Sequence, residues 1–421
     1  METSNTQCLV VGGGPAGIVL GLLLARAGVR VTVLEKHADF LRDFRGDTVH
    51  ASTVRLLDEL GLGEGFRKLP QSRLDNFRLP TESGDSVVLA DFGLLKAPYN
   101  YVAMVPQWDL LDFLVAAARE EPSFTLRMDT EATDLVRDDL GGVVGVRFRR
   151  RDPASGETME TGVLQAGLTV ACDGRGSILR HRAGLVPQEF AVPFDTWWFR
   201  LPRKADEHDP VTSISPRFGR GDVLLSLTRK DYHQIAYLAA KGLDATLRSE
   251  GIAAFRDRIS RLRPDLADRV EHVTSFDDVH LLDVKLNRLR QWHRPGLLLI
   301  GDAAHAMSPA GGVGINLAIQ DAVAAARIIP GPLLSGTLDD GHLAKVQKRR
   351  WMPTVTVQTF QRVLHRGVFA RVMAGGEAKP PKPLLFVTRR FPAFRKLPAR
   401  MIAFGPRPEH APDFARRKPD A

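Results

Sequence analysis

The sequence is poor in cysteine and has no long apolar run. Among its 421 residues there are two cysteines, Cys8 and Cys172, and each lies in a strand-like apolar stretch. Two distant thiols in such stretches are typical of buried, reduced cysteines rather than of a disulfide or a metal site. No uncharged apolar segment approaches the roughly 18 residues that a membrane-spanning helix needs. We therefore predict a protein with no metal site and no transmembrane helix.

Other common features are also missing. The first residues, METSNTQ, lack the basic start and the apolar core of a signal peptide, which favours a cytoplasmic location. No repeat with a period of about 20–50 residues is evident, which excludes a solenoid. The formal net charge of +9 suits anionic cofactors, but the basic residues are dispersed and form no nucleic-acid-binding module. We expect no nucleic-acid partner.

The carboxyl-terminal region is the exception to this dispersed charge. In residues 389–400, RRFPAFRKLPAR, basic residues are interleaved with Phe, Leu and Pro. The simplest interpretation is a surface arm that packs on the main body. The alternative is a weak contact with a membrane surface, because basic and aromatic residues together favour the lipid interface.

A strand, a glycine turn, a helix and a second strand follow one another near the amino terminus. The apolar run CLVV is followed by GGGPAG, by the helix pattern IVLGLLLARAG and by the apolar run VRVTVLEK. Gly12 permits a tight turn, Gly14 lets a pyrophosphate approach the backbone, and Gly17 lets the helix pack closely. The helix amino terminus, with Pro15 and Ala16, offers unpaired N–H groups to the phosphates. The pattern predicts a dinucleotide site.

Acidic and basic residues extend this predicted site. Glu35 ends the second strand, where it is placed to accept hydrogen bonds from the ribose hydroxyls of an adenosine. A glutamate there favours an unphosphorylated ribose, so FAD or NAD fits better than NADP. Lys36 follows it and is included in the site. In the next loop Arg42 and Arg45 are candidates to pair with the pyrophosphate; for Arg45 a solvated surface position is an equal alternative.

Two later strands also end in a glycine and an acid. The strand LTVACD ends at Asp173 and Gly174, and the apolar strand LLLI is followed by Gly301 and Asp302. In a doubly wound sheet, ligands bind at the carboxyl ends of the strands. Together with Glu35, three acids are therefore expected at one ligand-binding edge, an arrangement that packing does not explain.

Three motifs in this order resemble those of a known family. They are GGGPAG at 12–17, CDGRGS at 172–177 and GDAAHAMSPAGGVGINLAIQD at 301–321. With them the sequence resembles the FAD-dependent aromatic hydroxylases, the para-hydroxybenzoate hydroxylase-like group A flavoprotein monooxygenases. The resemblance implies an α/β fold, with a Rossmann-like (GR2-type) FAD-binding domain, an inserted, mostly antiparallel β-sheet substrate domain and a carboxyl-terminal helical or extended tail.

The resemblance also implies domain boundaries. The FAD-binding domain is expected to be discontinuous, and the substrate domain to be formed by two inserted segments. The expected segments are 1–70, 102–185 and 283–375 for the FAD-binding domain, 71–101 and 186–282 for the substrate domain, and 376–421 for the tail. A monomer or a homodimer is expected.

The family resemblance assigns roles to several of these residues. It implies that the first motif binds the ADP half of a tightly bound FAD, and that Asp173 and Gly174 touch both FAD and the nicotinamide cofactor. Asp302 would hold the ribityl or ribose hydroxyls, and Gln107 would lie on the phosphate–ribityl chain. No separate Rossmann unit for NAD(P)H is visible, which agrees with the transient binding of that reductant in the family.

The implied activity is a monooxygenase reaction. NAD(P)H would reduce FAD, O2 would form a flavin C4a-hydroperoxide, and one oxygen would hydroxylate or epoxidise an aromatic or other electron-rich small molecule. The cofactor carries the chemistry, and the protein supplies position and dryness.

The second glycine-rich stretch leads into a helix. Backbone N–H groups at its start can donate to the N1–C2=O edge of an isoalloxazine, and the helix dipole stabilises the negative charge of reduced flavin. The residues predicted at this end are Gly301, Asp302, Pro309, Gly312, Gly314, Ile315 and Asn316. His305 is more simply interpreted as packing or capping beneath the flavin than as a catalyst.

Three stretches outside these motifs alternate with a period of two and predict strands at 195–203, 222–229 and 231–239. They are expected to form the sheet over the flavin. The alternation separates two faces of the first strand: Thr196, Trp198 and Arg200 on one, and Trp197, Phe199 and Leu201 on the other. Helical patterns follow at 251–262 and 264–273.

The catalytic residue and the substrate cannot be read from the sequence. A phenolic substrate needs a base, for which His50, Tyr232, His233 and Tyr237 are candidates. Arg200 is a candidate to bind an anionic substrate, with a strand-face salt bridge as the simpler alternative.

Three rival functions share parts of this pattern. A flavin-dependent halogenase has the motif W-x-W-x-I-P, whereas residues 197–202 here read WWFRLP. A flavin-dependent dehydrogenase or reductase of a hydrophobic lipid or isoprenoid substrate is the stronger alternative. A dinucleotide-binding redox sensor or interaction protein would not need a second glycine turn that excludes water.

Overall fold

The computed structural model describes residues 2–41, 48–80, 86–204, 207, 214–229, 231–376 and 390–417. In chain order its strands are β1 (Glu2–Val11), β2 (Val31–Leu34), β3 (Thr48–Val49), β4 (Ser72–Leu74), β5 (Asn76–Pro80), β6 (Ser86–Asp91), β7 (Val102–Met104), β8 (Phe124–Arg127), β9 (Thr130–Arg137), β10 (Val143–Arg151), β11 (Thr158–Ala171), β12 (Gln188–Glu189), β13 (Phe194–Pro202), β14 (Ile214–Phe218), β15 (Asp222–Thr228), β16 (Tyr232–Ala240), β17 (His280–Leu282), β18 (Asn287–Arg288), β19 (His293–Arg294) and β20 (Leu297–Leu299).

The α-helices alternate with these strands in the first part of the chain and dominate its end. They are α1 (Pro15–Arg26), α2 (Ala51–Glu59), α3 (Gly63–Lys68), α4 (Gln107–Arg119), α5 (Ile178–Arg182), α6 (Asp244–Leu262), α7 (Gly314–Ile328), α8 (Pro330–Leu334), α9 (Asp340–Leu364), α10 (Ala370–Met373) and α11 (Lys396–Phe404). A π-helical turn, His365–Phe369, joins α9 to α10.

A mostly parallel sheet forms the centre of the molecule. Its strand order is β19-β20-β11-β1-β2-β8, and β1 pairs in parallel with both β11 and β2. Strand β10 extends it by antiparallel pairing with β11, and β9 pairs antiparallel with β10. The carboxyl ends of β1, β2, β11 and β20 therefore meet at one edge, as the glycine-and-acid pattern predicted.

Two helices with small residues cover this sheet. Helix α1 is buried along almost its whole length, because it lies between the sheet and α7. A Cβ atom built on Gly21 would lie 2.8 Å from the ring of Phe124. On α7 the residues Ala322 and Ala324 to Ala326 are fully buried. Small side chains thus allow both helices to approach the strands closely, and the sheet ends are held in a rigid frame.

An antiparallel sheet of order β14-β15-β16-β13-β17 forms the second layer. The observed strands β13, β15 and β16 begin and end within one residue of the predicted ones. Trp197, Phe199 and Leu201 lie in the core beneath α6, whereas Trp198 packs with Ala236 on the opposite face. The predicted separation of the two faces of β13 is confirmed, and we call the face opposite α6 the inner face of this sheet.

The inner face packs on the central domain. Its residues Val223 and Leu238 share an apolar cluster with Met307, Val313 and Leu317. The predicted fold class, a Rossmann-like α/β domain with an added antiparallel sheet, is therefore the observed one. Of the two helical patterns that follow the sheet, the first lies in α6, which bends at Gly251, and the second is a 3-10 helix, Pro264–His272.

The chain beyond α10 returns to the main body. Helix α11 buries Ala399 and Ala403 in a cluster with Leu227 of the sheet and Met104 of β7. Among the described residues no helix combines the length and apolar character that a membrane crossing needs. In the same part of the chain no group of His, Cys, Asp and Glu side chains is arranged to hold a metal ion.

Candidate active site

The first glycine turn, residues 12–17, is closed toward the protein and open toward solvent. A Cβ atom on Gly12, whose φ is +107°, would lie 2.4 Å from the carbonyl oxygen of Cys172. A Cβ atom on Gly17 would lie 1.9 Å from the carbonyl oxygen of Gly12. On Gly14 it would meet no atom within 4 Å. The turn thus needs Gly12 and Gly17 for its own packing, whereas Gly14 leaves the backbone accessible to a ligand.

Glu35 is tied to this turn. Its buried carboxylate accepts hydrogen bonds from the N–H groups of Gly13, at 2.9 Å, and His37, at 3.1 Å. The structure therefore places Glu35 where the sequence predicted an acid beside a ribose. Lys36 is exposed next to it. Arg42 and Arg45 lie outside the described residues.

Asp173 stands at the end of β11 but also serves the adjacent helix. Its carboxylate accepts hydrogen bonds from Ser177 Oγ, at 2.5 Å, and from the N–H of Leu179, at 3.1 Å. Burial raises the pKa of Asp173. Gly174 follows with a φ of +78°, which a glycine adopts without strain. Both carboxylate oxygens of Asp173 thus take part in the start of α5, a role that motif reasoning did not predict.

Asp302 lies at the end of β20 and is partly exposed. Its Oδ2 is 3.2 Å from Nη2 of Arg175, and about a quarter of each side chain is accessible, 27% and 24% respectively. Behind it Arg180 donates to the carbonyl oxygens of Ala303, at 3.1 Å, and Arg175, at 2.7 Å. The partial exposure leaves the carboxylate of Asp302 accessible to a ligand hydroxyl.

Gly301 brings the two glycine-rich motifs together. A Cβ atom on Gly301 would lie 3.2 Å from Cβ of Ala318 on α7 and 3.4 Å from Cβ of Ala16 on α1. The two helices that begin at the glycine motifs therefore converge on this residue. Neither α1, whose N-cap residue is Gly14, nor α7, whose N-cap residue is Val313, has a side-chain hydrogen bond that caps it. The N–H groups of both first turns are thus available to one elongated anionic ligand.

The second glycine loop, residues 301–312, ends beside strand β3. The φ of Gly312 is +62°, and its carbonyl oxygen accepts a hydrogen bond from Thr48 Oγ1 at 2.8 Å. A Cβ atom at Gly312 would lie 2.5 Å from that hydroxyl oxygen. Pro309, Gly314 and Ile315 are only partly buried, which leaves this end of the loop accessible.

The side chain of Asn316 points into the protein. Its Oδ1 accepts hydrogen bonds from Ser52 Oγ, at 2.9 Å, and Thr53 Oγ1, at 2.6 Å, both on α2. Asn316 thus fixes the position of α7, and only its backbone is free to face a ligand. Gln107, the first residue of α4, is partly buried at the start of a helix without a side-chain cap.

A buried charge network lies beneath the second glycine loop. His305 Nε2 is 2.6 Å from Asp321 Oδ2, and its ring centroid is 4.8 Å from that of Trp292. Asp321 also accepts hydrogen bonds from the N–H of Gly301, at 3.1 Å, and from Nε of Arg350, at 2.8 Å. Burial raises the pKa of Asp321, but the charges of His305 and Arg350 outweigh it and the pKa lies below its usual value. The predicted packing position of His305 agrees with these contacts.

A stripe of buried polar side chains on α9 holds the backbone of the same loop. Gln358 donates to the carbonyl oxygen of Ala306 at 3.3 Å, and Gln361 donates to those of Ser308 and Ala310, both at 2.8 Å. The stripe also includes Arg350 and Thr354 and ends at His365, whose Nε2 lies 2.9 Å from Ser308 Oγ. Sequence reasoning missed this stripe, although polar residues at helical spacing on a long helix are a readable signal.

The five candidate side chains for catalysis lie in three places. His233 Nε2 is 2.8 Å from Glu207 Oε2, and Tyr237 donates to Asp222 Oδ2 at 3.1 Å. Both belong to the face beneath α6, which is turned away from the glycine motifs. This position argues against contact with a ligand there.

The other candidates lie on the inner face or beside Gly312. Arg200 and Tyr232 are on the inner face, and the guanidinium of Arg200 lies 4.6 Å from the ring centre of Tyr232 and 5.3 Å from that of Trp108. His50 is buried next to Gly312, with Nδ1 2.6 Å from the carbonyl oxygen of Ile402. Burial lowers the pKa of His50, and the carbonyl groups of Ile402 and Gly312 oppose that change.

Trp198 occupies the middle of the inner face. It packs against the cluster that contains Met307 and Val313 and against the cluster that contains Met104 and Ala51. Its ring is partly accessible, while its Nε1 is buried without a hydrogen-bond partner in the described part of the chain. A partly accessible aromatic side chain therefore lies where the antiparallel sheet packs against the second glycine loop.

Comparisons with known proteins match this geometry. The family described as "FAD binding domain" matches residues 5–358. The 6-methylpretetramide 4-monooxygenase of Streptomyces rimosus is 37% identical over 408 residues, which cover 96% of this chain and 93% of that protein. The para-nitrophenol 4-monooxygenase of Pseudomonas sp. (strain WBC-3) is 26% identical over 367 residues, 81% of this chain and 82% of that protein.

Solved structures share the architecture. The OxyS anhydrotetracycline hydroxylase from Streptomyces rimosus superposes with a TM-score of 0.71 at 23% identity, over 95% of this chain and 76% of that chain. At this level of identity the likeness establishes the fold.

Proposed function

Because the chain belongs to the FAD binding domain family and is a flavoprotein monooxygenase that uses FAD, NAD(P)H and O2 on a small aromatic substrate, we propose that its two glycine motifs hold the two ends of one FAD. The convergence of α1 and α7 on Gly301 carries this proposal. It brings two uncapped helix amino termini to the carboxyl edge of one sheet, and a dinucleotide is long enough to meet both.

Each end of the site suits a different part of the cofactor. The open backbone at Gly14 and the first turn of α1 bind the pyrophosphate, and Glu35 binds the adenosine ribose. Asp302 is accessible to the ribityl hydroxyls. The first turn of α7 donates N–H groups to the edge of the ring that becomes negative on reduction. Reduced FAD supplies the chemistry that activates O2, and the protein positions it and excludes water.

We further propose a flat, polycyclic aromatic substrate of the aromatic polyketide type. The similarity to an enzyme named for 6-methylpretetramide, over almost the whole chain, supports this class. The inner face adds a physical reason, because the partly accessible ring of Trp198 can stack on an aromatic ring. Arg200, Tyr232 and His50 remain candidates to bind or deprotonate a phenolic oxygen.

Oxygen labelling tests the reaction. The purified protein should be yellow, release FAD on denaturation and consume NAD(P)H when polycyclic phenols are added. In labelled O2, one oxygen atom should enter the product. Turnover without incorporation would instead indicate a dehydrogenase or reductase, and a protein that binds no added FAD would contradict the site.

Asp302→Ala tests the site separately from the reaction. Loss of its hydrogen bonds to the ligand should weaken FAD binding by about 1–3 kcal/mol, measured by titrating the apoprotein with FAD. An unchanged dissociation constant would remove Asp302 from the site.

We also propose a weak contact of the carboxyl-terminal region with anionic membranes. Phe391, Phe394, Leu397 and Met401 are 37–67% exposed, and Arg395 and Arg400 accompany them. Interfacial binding needs such a combination of apolar area and positive charge. The unaltered protein should co-sediment with anionic vesicles and not with zwitterionic ones, and the variant Phe394→Ser/Leu397→Ser should lose this binding. Equal binding by the variant would contradict the proposal.

The cytoplasmic location and the monomeric or homodimeric state stay predictions. Analytical ultracentrifugation measures the oligomeric state.

A further inference from the structure

The carboxyl-terminal strap, which we define as residues 396–417, lies beyond the part of the chain that matches the FAD binding domain family, residues 5–358. It nevertheless crosses the central domain and is bonded to it at many points. Arg26 donates to the carbonyl oxygen of Ala415 at 3.0 Å, and Arg327 donates to that of His410 at 2.7 Å. The strap is therefore fixed to the frame that carries α1 and α7.

One set of contacts leads from the strap to the first residue of the second glycine loop. The side chain of Glu409 is fully buried and accepts two hydrogen bonds from Arg349, at 2.8 and 2.6 Å. Its Oε1 lies 3.6 Å from Nη1 of Arg350. Arg350 in turn binds Asp321, which holds the N–H of Gly301. The carboxylate of Glu409 on the strap thus compensates the charge of Arg350, which positions Gly301 through Asp321.

A second, independent set leads to the other end of the loop. His50 Nδ1 lies 2.6 Å from the carbonyl oxygen of Ile402 on the strap. The same ring faces the carbonyl group of Gly312, which also accepts the hydrogen bond from Thr48 Oγ1. His50 is 1% exposed, so water does not compete for these hydrogen bonds.

We propose that the strap is a positioning element of the flavin site, which holds both ends of the second glycine loop through Glu409 and through His50. This inference rests on the proposed function, because that function assigns the loop to FAD. A loop whose two ends are bound to buried groups keeps its backbone N–H groups in place before the cofactor arrives. Binding then costs less ordering of the chain.

The test compares two glutamates, Glu409 on the strap and Glu59, which binds the strap from α2. Glu409 is connected to the loop through Arg350 and Asp321. Glu59 binds His410 Nδ1, at 2.5 Å, and the N–H of Ala411, at 2.7 Å. Glu59 has no part in the contacts described above that lead to the loop. Apoprotein of Glu409→Gln and Glu59→Gln is titrated with FAD, and the absorption spectrum of the bound flavin and the melting temperature of each apoprotein are recorded.

We expect Glu409→Gln to raise the FAD dissociation constant about tenfold and to shift the flavin absorption bands. Glu59→Gln should lower the melting temperature and leave both flavin properties unchanged. Equal effects of the two variants on FAD affinity would mean that the strap acts only through overall stability, which would overturn the proposal.

A second pair of variants covers the case in which Glu409→Gln does not fold. His50→Leu removes the donor to Ile402, and His50→Asn keeps an N–H group near the position of Nδ1. The flavin spectrum should shift in His50→Leu and return toward that of the unaltered protein in His50→Asn. A spectrum unchanged in His50→Leu would overturn the second link. Failure of the unaltered protein to bind FAD would instead contradict the proposed function.

Discussion

The first glycine turn is shaped by atoms that lie next to it in the sheet, whereas the second glycine loop is held by side chains from distant parts of the chain. Gly12 and Gly17 are required because a Cβ atom would meet neighbouring backbone. The loop at 301–312 instead depends on Asp321, Gln361 and a helix that begins only at residue 340. The first turn is thus shaped by close packing against backbone, and the second loop by side chains of other helices.

This difference has a physical consequence. Close backbone packing leaves little freedom, so the first turn should respond to substitution in an all-or-none way. Buried hydrogen bonds and ion pairs each contribute a limited free energy, so the second loop should lose its order in steps. Variants at the two ends of the site can distinguish these responses.

The largest effect is expected at Gly17. In Gly17→Ala the added Cβ atom would lie 1.9 Å from the carbonyl oxygen of Gly12, so α1 must move away from the turn. We expect loss of FAD binding and a lower melting temperature of the apoprotein. The matched variant is Gly14→Ala, because its Cβ atom meets no protein atom within 4 Å. It should keep the melting temperature and weaken FAD binding by about tenfold or more. If both variants lower the melting temperature equally, the first turn is not open at Gly14.

An intermediate effect is expected at Asp321. Asp321→Asn removes the charged partner that lies 2.8 Å from Arg350 and leaves this buried arginine with the longer contact to Glu409, at 3.6 Å, which should lower the free energy of unfolding by about 3–5 kcal/mol. Chemical denaturation monitored by circular dichroism measures this difference. Asp339→Asn is the control, since Asp339 caps α9 on the surface and asparagine caps equally well. A loss below about 1 kcal/mol in Asp321→Asn would mean that the buried network contributes no more than a surface ion pair.

The smallest effect is a pH dependence at His365. Burial lowers its pKa to about 4, against about 6.5 in an unfolded chain. Between these values the unfolded chain binds a proton that the folded protein does not, so the free energy of unfolding decreases as the pH falls from about 6.5 to about 4. His365→Gln removes this titration and should flatten the dependence in that range. Denaturation curves at several pH values measure it; parallel dependences in both proteins would contradict a neutral, buried His365.

The sequence predicted the parts of this site that depend on neighbouring residues. The glycine spacing and the acids at three strand ends place Gly12, Glu35, Asp173 and Asp302 at one sheet edge, where the structure has them. The period of two in β13 predicted both faces of the antiparallel sheet. These features could be predicted because each follows from a local backbone geometry.

Other parts depend on contacts that no local pattern contains. Asp173 and Asn316 stand where motifs predict them, yet their side chains bind Ser177 and Ser52 of adjacent helices. The direction of a short polar side chain depends on which partner the tertiary fold brings near. The same holds for Glu409, which is buried beside Arg350 only because the strap packs on the central domain. The cofactor roles of these residues stay predictions.

The adjacent residues Trp197 and Trp198 carry a consequence for the divergence of such enzymes. They point to opposite sides of β13: Trp197 lies in the core beneath α6, and Trp198 lies between the sheet and the second glycine loop. Substitutions at Trp197 therefore act on the core beneath α6, whereas substitutions at Trp198 act on the packing between the sheet and the second glycine loop. Sequence divergence on one side of β13 can therefore proceed without disturbing the other side, because adjacent residues of one strand belong to different layers of the molecule.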